Sequence, residues 1–258
     1  PIKKYNLQYI LDDGFVTIDE IKDLKGKLPK GTYALTYGNL PWAFMSLLYG
    51  AGGTLENDMD DLTKDVWRKP MEKLKEAYDA GVIAPMDVDG EQAFGSGKAV
   101  FAQLGTWAQG NMSNTLGADK IAEANTLQYS ADNPVNFFYQ CNWMQLKDPH
   151  RSAAKSAAAA DFVKYVYEHW MDWSEVGSIS PAYRDLNNPK YQKLIQASFT
   201  NSKKERDYIK TSNYLYGGYA TAGWGTYNDI VYGNVGLEEG LKTLDLMAQG
   251  QIEIQEES

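Results

Sequence analysis

Cysteine is nearly absent: one residue, Cys141, in 258 positions. That excludes an internal disulfide and leaves the redox compartment open. Histidine is almost as scarce, so a Cys141 nucleophile would have only His150 or His169 as a histidine base, and neither sits in a diagnostic motif. Cys141 therefore reads as a small packing residue. No apolar run approaches the length of a membrane-spanning helix, and the opening "PIKKYNLQYI" lacks the apolar core and cleavage site of a signal peptide. The expectation is a soluble chain with no leader in it. Positive charge is in deficit, 25 Lys and Arg against 34 Asp and Glu, a formal net charge of -9. Nucleic acid and anionic membrane surfaces would repel such a chain. At 43% hydrophobic residues it can bury a substantial core as one large or two smaller domains.

Aromatic residues are plentiful, with Tyr 18, Trp 7 and Phe 8. Tyrosine and tryptophan together outnumber phenylalanine about three to one, an excess of rings with a polar tip. Such rings suit a site that stacks on a flat apolar face and hydrogen-bonds around its edge, the combination a sugar presents.

Two motifs suggest ligands and fail on inspection. "GSGK", residues 95–98, lacks the first glycine of a phosphate-binding loop, where Gln92 stands, and the following hydroxyl, where Ala99 stands. It reads instead as punctuation between a helical turn at Glu91 to Phe94 and a buried strand at Ala99 to Leu104. That strand delivers Trp107 to its C-terminal end, where ligands sit in open α/β sheets. "NDMDDLTKD" lacks the glycine and closing glutamate of a calcium loop, and it reads as a solvated acidic turn, as do Asp87 and Asp89.

Elsewhere the patterning is α/β. Thr17 and Glu20 have capping-box spacing for a helix ending near Gly26. "GTYALTYG" alternates as a strand, and a helix from Pro41 to Tyr49 follows it. Trp67, Met71, Leu74 and Tyr78 define a core face closed by Gly81, with Pro70 as a kink or as the true start. "FFYQCNWMQLKDP" reads as a buried strand. Asp148 then caps a helix whose Ala154, Ala158, Phe162 and Tyr165 face predicts close packing. A helix is expected around Tyr191 to Phe199. A loop rich in glycine and aromatics over "TSNYLYGGYATAGWGTYNDIV" is placed to meet a ligand. The chain closes with an amphipathic helix through Leu237, Leu241, Leu244 and Ala248.

The order "FGSGKAVFAQLGTW", "NLPWAFMSLLYGAGG", "AAAADFVKYVYEHW", "GSISPAYRDL" and "AGWGTYNDIVYGNVGLEEGLKTL" resembles that of extracellular solute-binding proteins of carbohydrate ABC transporters, from about Asp12 onward. The resemblance implies an α/β, periplasmic-binding-protein-like (type II) fold of two lobes, with the first lobe incomplete. Residues 1–140 and 213–258 would form the second lobe, and 141–212 the returning portion of the first. It implies sugar binding and delivery to a membrane permease, with no catalysis, cofactor or metal. The location would be extracellular or periplasmic, with a lipid anchor in the full-length precursor. Trp42, Trp107 and Trp224 would stack on the sugar, while Asn39, Gln140 and Asn142, beside motif positions, would reach its hydroxyls. Leu40 stands where the maltose-binding member has an acidic residue, which implies a different sugar.

Two competing readings remain. A glycoside hydrolase would use the same aromatics plus two carboxylates about 5 to 10 Å apart. A noncatalytic interaction module would dimerise through the exposed half of an aromatic cleft.

Overall fold

The computed structural model describes residues 1–12, 14–38, 40–135, 145–176, 186–197 and 225–256, the side chains of 40–43 and 255–256 excepted. The Cα trace gathers into two compact units. One comprises Pro1–Gly105, Ala124–Phe138 and Lys203–Ser258, and the other Thr106–Glu123 and Tyr139–Ser202.

The first unit is built on two parallel strands, β1 (Tyr33–Tyr37) and β2 (Ala99–Gln103), in the register Tyr33 to Ala99 and Tyr37 to Gln103. On its other edge β1 meets residues 82–84: the Val82 carbonyl accepts from Ala34, and Ala84 donates to the Leu35 carbonyl. Helix α1 (Ile18–Lys22) starts on a reciprocal capping box. Glu20 N–H donates to Thr17 Oγ1 at 3.2 Å, and Thr17 N–H to Glu20 Oε2 at 2.8 Å. The regular helix is shorter than expected, the chain continuing through turns to Gly26.

Helix α2 (Leu40–Gly50) follows β1 directly. Helix α3 (Leu55–Asp58), capped by Thr54, takes in the start of the acidic run, which is therefore not all solvated turn. The Asp58 carbonyl accepts from the Trp67 indole at 2.8 Å, and Lys64 pairs with Asp58 and Asp60. Those contacts turn the run into a brace for α4 (Asp65–Asp79), which begins at Asp65 and passes through a buried Pro70. Asp89 is likewise a cap, its carboxylate accepting from Gln92 N–H at 2.8 Å at the start of α5 (Gly90–Gly95). Gly97, at φ 73°, ends the turn after α5, and the Lys98 carbonyl accepts from Tyr33 N–H at 2.8 Å. "GSGK" is thus the hinge from α5 into β2, with the lysine side chain in solvent.

Phe44 lies between Trp67, 6.0 Å away and stacked, and Tyr227, 5.1 Å away and tilted, all three fully buried. Aromatic pairs in these geometries add about 0.5–1.5 kcal/mol to their area burial. Tyr227, Ile230 and Val231 belong to helix α9 at residues 225–231. The end of the segment expected to be a ligand loop is therefore core, because its apolar residues recur at helical spacing. The part before residue 225 lies outside the described residues. The closing helix takes the number α10 (Leu237–Glu256) and buries Leu241, Leu244 and Ala248 completely.

The second unit contains α6 (Gln109–Leu116), α7 (Ala153–Glu168), α8 (Trp170–Glu175) and a 3-10 turn at Tyr191–Lys193. Ser152, not Asp148, caps α7, accepting from Lys155 N–H at 3.2 Å. The Asp148 carboxylate is committed to His150 N–H at 2.9 Å in the turn around Pro149 and does not cap the helix. None of the sixteen residues of α7 is buried, contrary to the close packing expected of its alanine face. Alanine forms helix without burial, so a rich alanine content specifies the conformation and not the contact. Of the helix expected from Tyr191 to Phe199, the described residues show a 3-10 turn at Tyr191–Lys193 and an α-helical residue at Ala197, and 198–199 lie outside them. The strand expected from Phe137 falls on residues 136–144, outside the described set, and 145–149 is not a strand.

Candidate functional site

β2 ends at Gln103, and a 3-10 turn, Thr106–Ala108, carries Trp107 into the N-terminus of α6. The indole is 56% exposed while the next residue, Ala108, is buried. Trp107 is therefore not core: its backbone is held and its ring meets solvent.

The support beneath it is a buried amide network. Gln109 Nε2 donates to Gln196 Oε1 at 2.6 Å, and Gln196 Nε2 donates to the Ser174 carbonyl at 2.8 Å. Gln196 is 2% exposed and the Tyr191 ring beside it is fully buried, its centroid 5.8 Å from that of Trp170. At Gly110 a Cβ would lie 2.7 Å from the Val176 carbonyl, so only glycine lets α6 approach the end of α8 this closely.

Of the other residues expected at the site, Trp42 is in the first turn of α2, and its side chain is outside the described set. Asn39, Gln140, Asn142 and Trp224 also lie outside the described residues. Gln109 and Gln196 were not anticipated. They are 87 positions apart, and no local pattern links them.

The electrostatics offer no acid and base pair among the described residues. Burial pushes the Glu123 carboxyl up to about 7. The other shifted carboxylates, Asp60, Asp61 and Asp65, are held below the usual range by hydrogen bonds from Lys64, Thr63 and Lys69 respectively. Two carboxyls with opposed shifts in one cleft, the mark of glycoside hydrolysis, are not assembled among the described residues. No group of three or more His, Cys, Asp or Glu among the described residues is arranged to hold a metal, and no helix among them is long and apolar enough to cross a membrane.

The family model of bacterial extracellular solute-binding proteins matches residues 5–198. The chain belongs to that family.

Membership of this extracellular family implies a location outside the cytoplasm. No curated protein matches the chain significantly. Among solved structures, it is similar to the cyclic alpha-maltosyl-1,6-maltose binding protein from Arthrobacter globiformis, with 15% identity and a TM-score of 0.64 over 92% of this chain and 64% of that one. It is also similar to the maltose/maltodextrin-binding domain MalE from Bdellovibrio bacteriovorus bound to maltotriose, with 15% identity and a TM-score of 0.68 over 91% and 66%. The GacH receptor of Streptomyces glaucescens gives 16% identity and a TM-score of 0.69 over 95% and 67%. At such identities the likeness establishes the fold, the α/β periplasmic-binding-protein-like class. The chain spans about two thirds of the length of these proteins.

Proposed function

We propose that this protein binds a carbohydrate of oligosaccharide size without turning it over, and delivers it to the permease of an ABC importer. The observation that carries the reading is Trp107, an indole more than half exposed on the turn Thr106–Ala108, whose last residue, Ala108, is buried. An exposed ring on a turn anchored by a buried residue offers a stacking face to a ligand. The family membership and the sugars named for two proteins of the same fold support the choice of ligand class. Trp42 and Trp224 would add stacking faces, with Asn39, Gln140 and Asn142 serving the hydroxyls. In this reading residues 1–140 and 213–258 make one lobe and 141–212 the returning portion of the other, in a precursor anchored by lipid.

The test is a tryptophan fluorescence titration of the 258-residue chain against mono- and oligosaccharides, with product analysis after incubation. A saturable shift without turnover is expected. Trp107→Ala should weaken binding about tenfold, as loss of a stacking aromatic does, with the fold intact by circular dichroism. Cleavage of the sugar would establish a hydrolase instead, and unchanged affinity in both Trp107→Ala and Trp224→Ala would remove the site assignment.

A further inference from the structure

We infer that Gln196 is a positioning residue for Trp107, acting through Gln109, and thereby a determinant of ligand affinity that does not itself touch ligand. The inference rests on the carbohydrate-binding reading for its effect on affinity, but not for its geometry.

Helix α6 begins two residues after Trp107, and the methyl side chain of its N-cap residue, Ala108, cannot cap it. What fixes this helix start comes from a different part of the chain. The Ser174 carbonyl can only accept, so the Gln196 amide must turn its NH₂ toward it. That choice leaves Gln196 Oε1 facing Gln109, whose Nε2 donates to it at 2.6 Å. The orientation of a buried amide is thus determined by a backbone carbonyl, and it reads through to the second residue after Trp107. Gly110 adds steric definition, because the backbone there lies against the Val176 carbonyl with no room for a Cβ. Gln196 is held in turn, its own carbonyl accepting from the Tyr191 hydroxyl at 3.5 Å.

Two successive residues of α6, both within three positions of Trp107, are therefore registered against the segment ending α8 and the segment 191–197. The ring itself faces solvent over half of its surface and is not encased by packing on that side. Gln109 lies two residues after Trp107, so loss of the amide bond should disturb the turn 106–108 that carries the ring. Small misplacements of a group contacting ligand are costly because binding geometry is narrow.

The experiment labels the protein with 5-fluorotryptophan and follows the resonances of its seven tryptophans, with Trp107 assigned by Trp107→Phe. Gln109→Leu and Gln196→Leu each remove the same bond from opposite ends. The Trp107 resonance should move or broaden in both, with the double variant no worse than either, while the core Trp67 resonance stays in place. If the role of Gln196 were merely structural, Trp170 and Trp173 would move and Trp107 would not follow Gln109→Leu. Should Gln196→Leu fail to fold, Gln109→Leu alone decides, because Gln109 is only partly buried. An unmoved Trp107 resonance in folded Gln109→Leu overturns the inference.

A double-mutant cycle with maltotriose as the probe then reads the functional consequence. Gln196→Leu should weaken maltotriose about fivefold in the wild-type background and not at all in Trp107→Ala. Equal weakening in both backgrounds would mean that Gln196 acts by another route, overturning the inference. Absence of maltotriose binding in the wild type would exclude maltotriose as the ligand, with the resonances still deciding the positioning.

Discussion

Tyr37 closes β1, and its hydroxyl is sealed from solvent with no hydrogen-bond partner among the described residues. Burial, and then the nearby Tyr232, hold its pKa well above the ordinary tyrosine value, so it stays neutral at any physiological pH. A buried hydroxyl without a partner forfeits its hydration and gains nothing in exchange, which costs about 1–3 kcal/mol. The ring itself packs against the core, so removing only the oxygen keeps the burial and deletes the penalty. Tyr37→Phe should therefore be neutral or stabilise the chain by up to about 1 kcal/mol in urea denaturation. A loss of more than about 1 kcal/mol would show that the hydroxyl holds a partner in solution, such as an ordered water.

Among the elements, α10 shows how close two helices can come. A Cβ on Gly240 would run into Ile230 of α9 and stand 3.2 Å from Val235 Cγ1. Alanine is the better helix former by about 1 kcal/mol, but overpacking a filled core costs about 1–3 kcal/mol, and Ile230 is fully buried. Gly240→Ala should lower the thermal midpoint, whereas a rise would mean that Ile230 finds a second rotamer at little cost. This contact joins residues ten positions apart and is not legible as a pattern. The elements whose signals are local were legible: the capping box at Thr17 and Glu20, the alternation in β1, the core face of α4 and the closing α10. Misread features depended on competition or on context. Asp148 was a plausible cap until its carboxylate bonded His150, and the alanine face of α7 predicted packing because composition does not say what lies opposite. At the site, Trp107 was legible from the strand that precedes it, while the amides that brace it were not, since Gln109 and Gln196 meet only in the folded chain.

For the molecule as a whole, the two units differ sharply in what they bury. The first contains the large apolar cluster from Leu7 to Ala248, with Trp67, Phe44 and Tyr227 at no exposure. In the second, α7 buries none of its residues and shows Phe162 and Tyr165 more than half exposed. An isolated helix of this length is marginal in water even when rich in alanine, so α7, with none of its residues buried, draws much of its stability from alanine propensity and the Ser152 cap. Local opening free energies run from near zero up to the global value, and α7 belongs at the low end while α4 belongs at the high end. Hydrogen exchange followed by mass spectrometry should then find the amides of Ala153–Glu168 exchanging about a hundredfold or more faster than those of Asp65–Asp79. Addition of a saturating sugar should slow exchange around Trp107 without protecting α7, because nothing in the stacking reading calls on that helix. Protection of α7 equal to that of α4 in the sugar-free chain would instead mean that its aromatic face is covered in solution. Light scattering on the same sample would then separate a second copy of the chain, seen as a doubled mass, from a rearrangement within one.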